Sequence, residues 1–293
     1  MKRYQIGDII IQWKDGNFEL ESDEFTERFQ VIESEEDFLV DEIIYETHFT
    51  DLRKYEKETL LQKNGLYELY DTIAGKFLVF HWAICRFGFG LYVKDLEGGN
   101  NIPCYFNPEM KEQIPLAAVR FFSCAGLHSK LLQRGALVFH SSYIDWKGKA
   151  ILFAGHSGVG KSTQAALWGK YAGAEIINGD RTLIRKKDGI WHAYGYPCCG
   201  SSDICINRTL PLLAIVLLEQ GEENQVTEVS MGEKFRALFT GSEMYLWNEK
   251  EMERVTKLAE EILKDVRIVR LVCRPEEEAV EVLKAELEEN RNE

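Results

Sequence analysis

The octapeptide at residues 155–162 reads Gly155-His156-Ser157-Gly158-Val159-Gly160-Lys161-Ser162, and it matches the pattern G-x-x-x-x-G-K-[ST] at every fixed position. The apolar stretch Lys149–Ala154 before it predicts a strand, and the residues from Lys161 to about Tyr171 predict a helix. Such a turn points successive backbone N–H groups inward, and the helix directs its positive end to the same place. This order predicts a phosphate-binding loop (P-loop) rather than a chance glycine-rich turn.

The loop residues have separate expected roles in holding ATP. Lys161 is expected to contact the β and γ phosphates as a cation, and the Ser162 hydroxyl is expected to ligate Mg²⁺, which takes few protein ligands. We therefore expect ATP and Mg²⁺ as cofactors. The predicted nucleotide-binding residues are Gly155, Ser157, Gly158, Val159, Gly160, Lys161, Ser162 and Thr163.

Asp180 is a candidate acidic partner for this loop. It follows Glu175–Asn178, the first predicted strand after the P-loop helix. The carboxyl ends of neighbouring strands in such sheets face the ligand. Asp180 is therefore predicted either to ligate Mg²⁺ or to accept a proton from an attacking hydroxyl. The alternative is an exposed turn aspartate, because Asn178-Gly179-Asp180-Arg181 is itself a turn-forming string.

Several segments, in the same order, resemble HPr kinase/phosphorylase and its smaller relatives, which include serine kinases found with peptide-modifying enzymes. The resemblance extends over roughly Leu127 to Leu287. Beside the P-loop it rests on Leu137–His140, Asn178–Arg181, Leu212–Glu219 and Asp265–Pro275.

The resemblance implies a phosphoenolpyruvate-carboxykinase-like P-loop fold and phosphoryl transfer to a hydroxyl. It adds His140 to Lys161 and Asp180 as a catalytic residue, close to the phosphates. Two positions depart from the family pattern: Gly179 replaces the first of two adjacent aspartates, and His156 stands where the HPr enzymes are commonly acidic. These departures argue against a true HPr kinase/phosphorylase. Relatives of this type assemble as oligomers, which suggests a homo-oligomer.

Further candidates have two interpretations each. Arg181 and Arg208 are either clamps on the γ-phosphate or ordinary surface arginines. Glu219 is either a second metal ligand or a charge at a strand end. The tract Tyr196–Ser202 is either a substrate loop or a simple connection.

Histidines and cysteines elsewhere favour structural roles. His128 and His192 are interpreted as structural. The cysteines clustered nearest in sequence lack the paired spacing of a zinc site and are interpreted as small thiols; they are Cys198, Cys199 and Cys205.

The chain as a whole predicts two domains of an α/β protein. Residues 1–108 predict a β-rich domain with an antiparallel sheet, and residues 109–293 a P-loop kinase domain with a mixed sheet. The strands predicted within the first are Ile6–Trp13, Leu60–Tyr70, Phe77–Ile84 and Phe87–Val93, and Pro108 to Arg134 is predicted to be helical.

Composition limits the partners. The net charge of −13 argues against nucleic-acid binding, and no apolar run approaches the roughly 20 residues that span a bilayer. Seven cysteines without regular spacing predict reduced thiols and a cytoplasmic location.

The leading hypothesis is a kinase that transfers the γ-phosphoryl group of Mg-ATP to a hydroxyl, either a serine of a peptide or a small molecule. The alternative, suggested by Gly179, is a non-catalytic ATP sensor or assembly partner in a peptide-modification system. A carboxykinase acting on a small acid is disfavoured, because its additional metal-binding residues are not found.

Overall fold

The computed structural model describes residues 2–14, 20–21, 23–31, 41–82, 85–109, 116–117, 121–122 and 124–289. Helices and strands occur together, as the predicted α/β class requires. Internal packing divides the chain into an N-terminal unit, Met1–Gln133, and a C-terminal unit, Arg134–Glu293.

This division falls later than the boundary predicted after residue 108, because the chain just before Gln133 packs within the N-terminal unit. The Phe121 ring lies edge-on to Trp13, with centroids 4.7 Å apart. Lys130 Nζ donates to the carbonyls of Gly98 and Gly99 at 2.8 and 3.2 Å.

An eight-stranded sheet makes up most of the N-terminal unit. Its strands are β1 Lys2–Ile6, β2 Ile9–Lys14, β4 Asp41–Phe49, β5 Thr59–Lys63, β6 Tyr67–Thr72, β7 Gly75–Trp82, β8 Cys85–Tyr92 and β9 Asn101–Phe106, in the order β1-β2-β4-β9-β8-β7-β6-β5. The short strands β3 Leu20–Glu21 and β10 Leu116–Ala117 pair separately. Helices within the described residues include α1 Glu24–Glu27, α2 Leu127–Gln133 and the 3-10 helices Leu52–Lys57 and Val93–Leu96.

Three strand and sheet predictions for this unit are wrong. The predicted strand Ile6–Trp13 is broken by a turn at Gly7 and Asp8, after which β2 begins at Ile9. The sheet is mixed, because β4 lies parallel to both β2 and β9; the long connections 15–40 and 50–100 allow parallel neighbours. Leu60–Tyr70 is two strands, because Asn64 Oδ1 accepts from the amides of Leu66 and Tyr67 and turns the chain. Residues 83 and 84 of the predicted strand Phe77–Ile84 lie outside the described residues.

The predicted helical stretch from Pro108 to Arg134 is only partly described. Residues 110–115, 118–120 and 123 lie outside the described residues. Within it, Leu116–Ala117 is a strand, and the final helix begins at Leu127. The helical prediction is therefore wrong at Leu116–Ala117, where the backbone pairs with Leu20–Glu21 instead.

The C-terminal unit alternates strands and helices. Its elements are β11 Ala136–Trp146, β12 Lys149–Ala154, α3 Lys161–Ala172, β13 Glu175–Asn178, β14 Arg181–Lys187, β15 Ile190–Tyr194, β16 Thr209–Gln220, β17 Gln225–Thr227, α4 Met231–Gly241, α5 Glu249–Asp265, β18 Arg267–Cys273 and α6 Glu277–Glu289. Strands β12 and β13 and helix α3 agree with their predicted ranges to within a residue, whereas β17 and α4 were not predicted.

The strands of this unit form a mixed sheet whose order closes on itself. Strand β11 pairs with β14 through its first half and with β12 through its second half. Strand β16 likewise passes from β15 to β12 and β18, the last two parallel to it. Because β12 lies between β11 and β16, the P-loop starts from a strand with hydrogen-bonded neighbours on both sides.

Helix α3 packs its buried side against this sheet. Trp168 is fully buried and meets the Trp146 ring edge-on, with centroids 5.2 Å apart. Gly173, with φ of 66°, ends the helix close to the predicted end near Tyr171. Strand β11 continues through Trp146, and Lys147 and Gly148, both with positive φ, close a two-residue hairpin into β12.

Candidate active site

The P-loop begins where β12 ends and closes onto the first turn of α3. Gly155, Gly158 and Gly160 have φ of 146°, 81° and 111°, which side chains disfavour, so the glycines of the motif are required by the backbone path. Gly160 occupies the N-cap position, and no side chain caps the helix. The first N–H groups of α3 are therefore available to an anion.

Lys161 is held inside the loop. Its side chain is 8% exposed, and Nζ donates to the carbonyls of Gly155 and His156 at 3.1 and 3.2 Å. Burial lowers the pKa of the Lys161 amine, whereas the nearby Asp180 carboxylate acts in the opposite direction. The P-loop thus places the partly desolvated Lys161 ammonium beside the space that the loop encloses.

That space is a cavity of about 280 Å³, referred to below as the P-loop cavity. The loop and the helix start line one side of it through Ser157, Gly158, Gly160, Lys161, Ser162 and Thr163. The other side is formed by His140, Gly179, Asp180, Ser201 and Ser202. The structure therefore brings the predicted catalytic residues His140, Lys161 and Asp180 to one cavity.

Two of the predicted nucleotide-binding residues, Gly155 and Val159, do not line the P-loop cavity. The Val159 side chain is buried in the core beside Gly155, and its amide donates to the His156 carbonyl at 3.3 Å. Gly155 does not line the P-loop cavity but borders a neighbouring groove. Both residues shape the loop; any contact of theirs with phosphate stays a prediction.

Both carboxylate oxygens of Asp180 have partners. His140 Nε2 lies 3.0 Å from Oδ1, and the Arg181 guanidinium bonds Oδ2. The register of β11 with β14 explains this, because His140 is paired directly with Arg181 across the two strands. Arg181 also bonds the Glu243 carboxylate. The result is a linked chain of charged and polar groups at the cavity wall.

These neighbours keep Asp180 ionised. Burial alone would raise the pKa of the Asp180 carboxyl, but the hydrogen bond from His140 and the charges of Arg181 and Lys161 outweigh it, so the pKa is lowered. For Arg181, burial opposes the charge, but the carboxylates of Glu243 and Asp180 raise its pKa. At neutral pH the cavity therefore carries a carboxylate that is balanced by cations.

Asn178 fixes the turn that carries Asp180. Its Oδ1 accepts from the amides of Asp180 and Arg181, both at 2.9 Å. Its Nδ2 donates to the carbonyls of Tyr196 and Cys198 at 2.6 and 3.2 Å. One fully buried side chain thus joins the Asp180 turn to the tract Tyr196–Ser202, so this tract borders the cavity and is more than a remote connection.

Gly179 is required by the close approach of that tract. A Cβ at Gly179 would lie 2.1 Å from Ser202 Oγ and 2.2 Å from Ser202 Cβ. A Cβ at Gly200 would lie 2.8 Å from the Asp180 Cγ. The 3-10 turn Gly200–Ser202 therefore occupies the space that any side chain at position 179 would need.

A second depression, the neighbouring groove, has a volume of about 660 Å³ and shares His140 with the P-loop cavity. Helix α4 contributes Glu233 and the exposed Arg236 to it. This helix was not predicted, although Ser230 and Glu233 form a capping box, a recognisable start signal. The Ser230 hydroxyl and the Arg270 guanidinium lower the pKa of Glu233 to about 2.

The remaining candidates lie outside the P-loop cavity. Glu219 borders the neighbouring groove, is 56% exposed and pairs with Arg270 at 3.3 Å, which fits a charge at a strand end. Arg208 pairs with Asp145 and Glu175. His128 is buried in α2, and His192 Nδ1 lies 3.0 Å from its neighbour Ile190 O.

Within the described ranges, no three or more His, Cys, Asp or Glu side chains are grouped to hold a metal ion. No helix of that part of the chain is long and apolar enough to cross a membrane.

Comparison with known proteins identifies the family. A solved structure of the Hpr(Ser) kinase/phosphatase from Coxiella burnetii is similar at 11% identity and a TM-score of 0.31, over 53% of this chain and 94% of that chain. This likeness is too weak to assign an activity. No curated protein matches the sequence. The family described as SynChlorMet cassette protein ScmC matches residues 102–273, more than half of the chain, and the chain therefore belongs to the ScmC family.

Proposed function

We propose that this protein is a kinase that transfers the γ-phosphoryl group of Mg-ATP to a hydroxyl, either a serine of a peptide or a small molecule. The single observation that carries the proposal is the P-loop cavity, where Lys161 and the uncapped start of α3 face the Asp180 carboxylate. A phosphoenolpyruvate-carboxykinase-like arrangement of the C-terminal unit is part of this proposal.

The residues present fit a magnesium nucleotide. The Ser162 hydroxyl and the ionised Asp180 carboxylate line the same cavity as Lys161, and oxygen donors of these types are the ligands that Mg²⁺ prefers. When bound, Mg²⁺ would offset negative charge on the β and γ phosphates. Lys161 would bind the same phosphates as a cation, and the α3 amides would hold their oxygens.

Asp180 is proposed to orient the acceptor hydroxyl and take its proton. A carboxylate that is ionised at neutral pH can accept a hydrogen bond from that hydroxyl. His140 holds Oδ1 in place and so acts as a positioning residue for Asp180. Arg181, bonded to Oδ2 and to Glu243, keeps the carboxylate charged and turned to the cavity.

One observation favours the second candidate, a non-catalytic ATP sensor. Both oxygens of Asp180 are already bonded, to His140 and Arg181, and Gly179 offers no second carboxylate. In such a protein Asp180 would only stabilise the wall of the P-loop cavity and would take no part in phosphoryl transfer. The wild type would then bind ATP tightly without turning it over, and loss of the carboxylate would leave ATP binding unchanged.

The two candidates are separated by measuring ATP binding and phosphate release or transfer on the same preparations. Asp180→Asn is compared with Asp188→Asn, an exposed aspartate in the β14–β15 turn. The kinase proposal expects Asp180→Asn to lower turnover about 100-fold or more, the usual contribution of a general base, with Asp188→Asn unchanged. Tight ATP binding by the wild type without any turnover would reject the kinase and support the sensor.

A further inference from the structure

The 3-10 turn Gly200–Ser202 carries a hydroxyl to the proposed transfer site. The residues on both sides of Ser201 touch the Asp180 turn: Gly200 packs on the Asp180 side chain, and Ser202 fills the space above Gly179. Ser201 itself is exposed and lines the P-loop cavity together with Lys161 and Asp180. A serine side chain therefore already borders the space that the phosphates would occupy.

The two serines of the turn differ in what their hydroxyls do. Ser202 Oγ donates to the Cys199 carbonyl at 2.7 Å and lies 3.3 Å from the Ile204 amide, so it is used to hold the turn. Ser201 Oγ makes no hydrogen bond within the described part of the chain. Of the two, Ser201 is the hydroxyl that can react without breaking the turn.

The tract that leads into the turn is held by the same side chain that holds Asp180. Asn178 bonds the Asp180 amide through Oδ1 and the Tyr196 and Cys198 carbonyls through Nδ2. The hydroxyl at 201 and the carboxylate at 180 thus share one support. Such preorganisation raises the effective concentration of an acceptor within the same molecule.

We propose that Ser201 is a self-phosphorylation site, modified within one molecule by its own P-loop cavity. This inference rests on the proposed function. The Ser201 Oγ would form a bond to the γ-phosphorus as the bond to the β–γ bridging oxygen breaks. The hydroxyl proton passes to the Asp180 carboxylate, and ADP leaves with the electron pair of the broken bond.

The test incubates the purified full chain with Mg-ATP and locates phosphate by tandem mass spectrometry. Phosphate is expected at residue 201, at a rate per molecule that does not change on dilution. Ser201→Ala should carry none there, whereas Ser201→Thr, which keeps a hydroxyl, should be modified at the same position. Asp180→Asn should slow modification about 100-fold or more.

A mixing experiment tests whether the reaction stays within one molecule. Asp180→Asn chains, which keep Ser201, are mixed with Ser201→Ala chains, which keep Asp180. The inference expects the Asp180→Asn chains to stay unmodified beyond their own slow rate; rapid labelling would show transfer between molecules and overturn it.

A third experiment distinguishes failure of the Ser201 assignment from failure of the kinase proposal. The same preparation is assayed for ATP hydrolysis and for transfer to added serine-containing peptides. Turnover or transfer with Ser201 unmodified would overturn the inference and leave the kinase standing. Bound ATP without any turnover would reject both. Phosphate on a different residue of the chain would also overturn the assignment to Ser201.

Discussion

Substituting Gly179 by alanine should destabilise the C-terminal unit, because the added methyl group has no space. The new Cβ would lie 2.1 Å from Ser202 Oγ and 2.2 Å from Ser202 Cβ, well inside van der Waals contact. Gly179 does not have the positive φ that would add backbone strain, so the collision alone sets the cost. Ser202 cannot simply rotate away, since its Cβ is adjacent to the backbone and its Oγ bonds Cys199 O.

Overpacking of this kind costs about 1–3 kcal/mol. For a unit of this size a loss of about 2 kcal/mol lowers the melting temperature by about 4–8 °C. The assay is thermal unfolding of the full chain, followed by the fluorescence of Trp146 and Trp168 among the other tryptophans. Gly232→Ala is the matched control, because a Cβ there meets nothing within 4 Å and alanine suits the helix start.

The cause is tested by a double-mutant cycle with Ser202→Gly. Removing the Ser202 side chain should restore most of the stability that Gly179→Ala loses, relative to Ser202→Gly alone. The reasoning is refuted if Gly179→Ala unfolds within about 0.5 kcal/mol of the wild type, the range of ordinary surface substitutions. It is also refuted if the full cost persists in the Ser202→Gly background.

Further substitutions test the loop, the groove and the core. Lys161→Ala should weaken ATP binding about 10- to 100-fold by calorimetry, the loss of one charged hydrogen bond; unchanged affinity would exclude Lys161 as a phosphate contact. The lowered pKa of Glu233 means that its stabilising contribution is complete above its ordinary value of 4.5 and is lost as the pH falls to about 2. Wild type should therefore lose more stability than Glu233→Gln over that interval, and parallel curves would refute this. Trp168→Ala should cost about 3–5 kcal/mol in urea unfolding, because its buried ring packs on Trp146; a loss below about 1 kcal/mol would contradict the packing.

Local sequence signals predicted much of the C-terminal unit. The P-loop octapeptide, with a strand before it and Gly173 after its helix, identifies β12 and α3 because each signal acts within a few residues. Asp180 was expected near Lys161 because neighbouring strand ends face one ligand. In the structure β13 is not a neighbour of β12; both pair antiparallel with β11, so their carboxyl ends lie at the same edge of the sheet. The common cavity of Asp180 and Lys161 is therefore foreseeable from the order of elements.

Other features depend on contacts between distant residues, which no local pattern reveals. The closed strand order arises because β11 and β16 each change partners along their length. The bond from Asn178 to Tyr196 joins residues on separate connections, so the sequence left the tract Tyr196–Ser202 open between two interpretations. Helix α4 is different, because its capping box was present in the sequence and was overlooked.

Because β12 is paired with strands on both sides, its backbone amides should exchange slowly with solvent. Amides such as those of Ile151 and Phe153 belong to a strand paired on both flanks, with β11 and with β16. Exchange of their hydrogens with deuterium requires separation of the sheet itself, whereas Ser157 and Gly158 lie in the exposed loop beyond. The amides of β12 should thus be among the slowest-exchanging amides of the C-terminal unit. A bound ligand can then change the conformation of the P-loop without separating β12 from its neighbours.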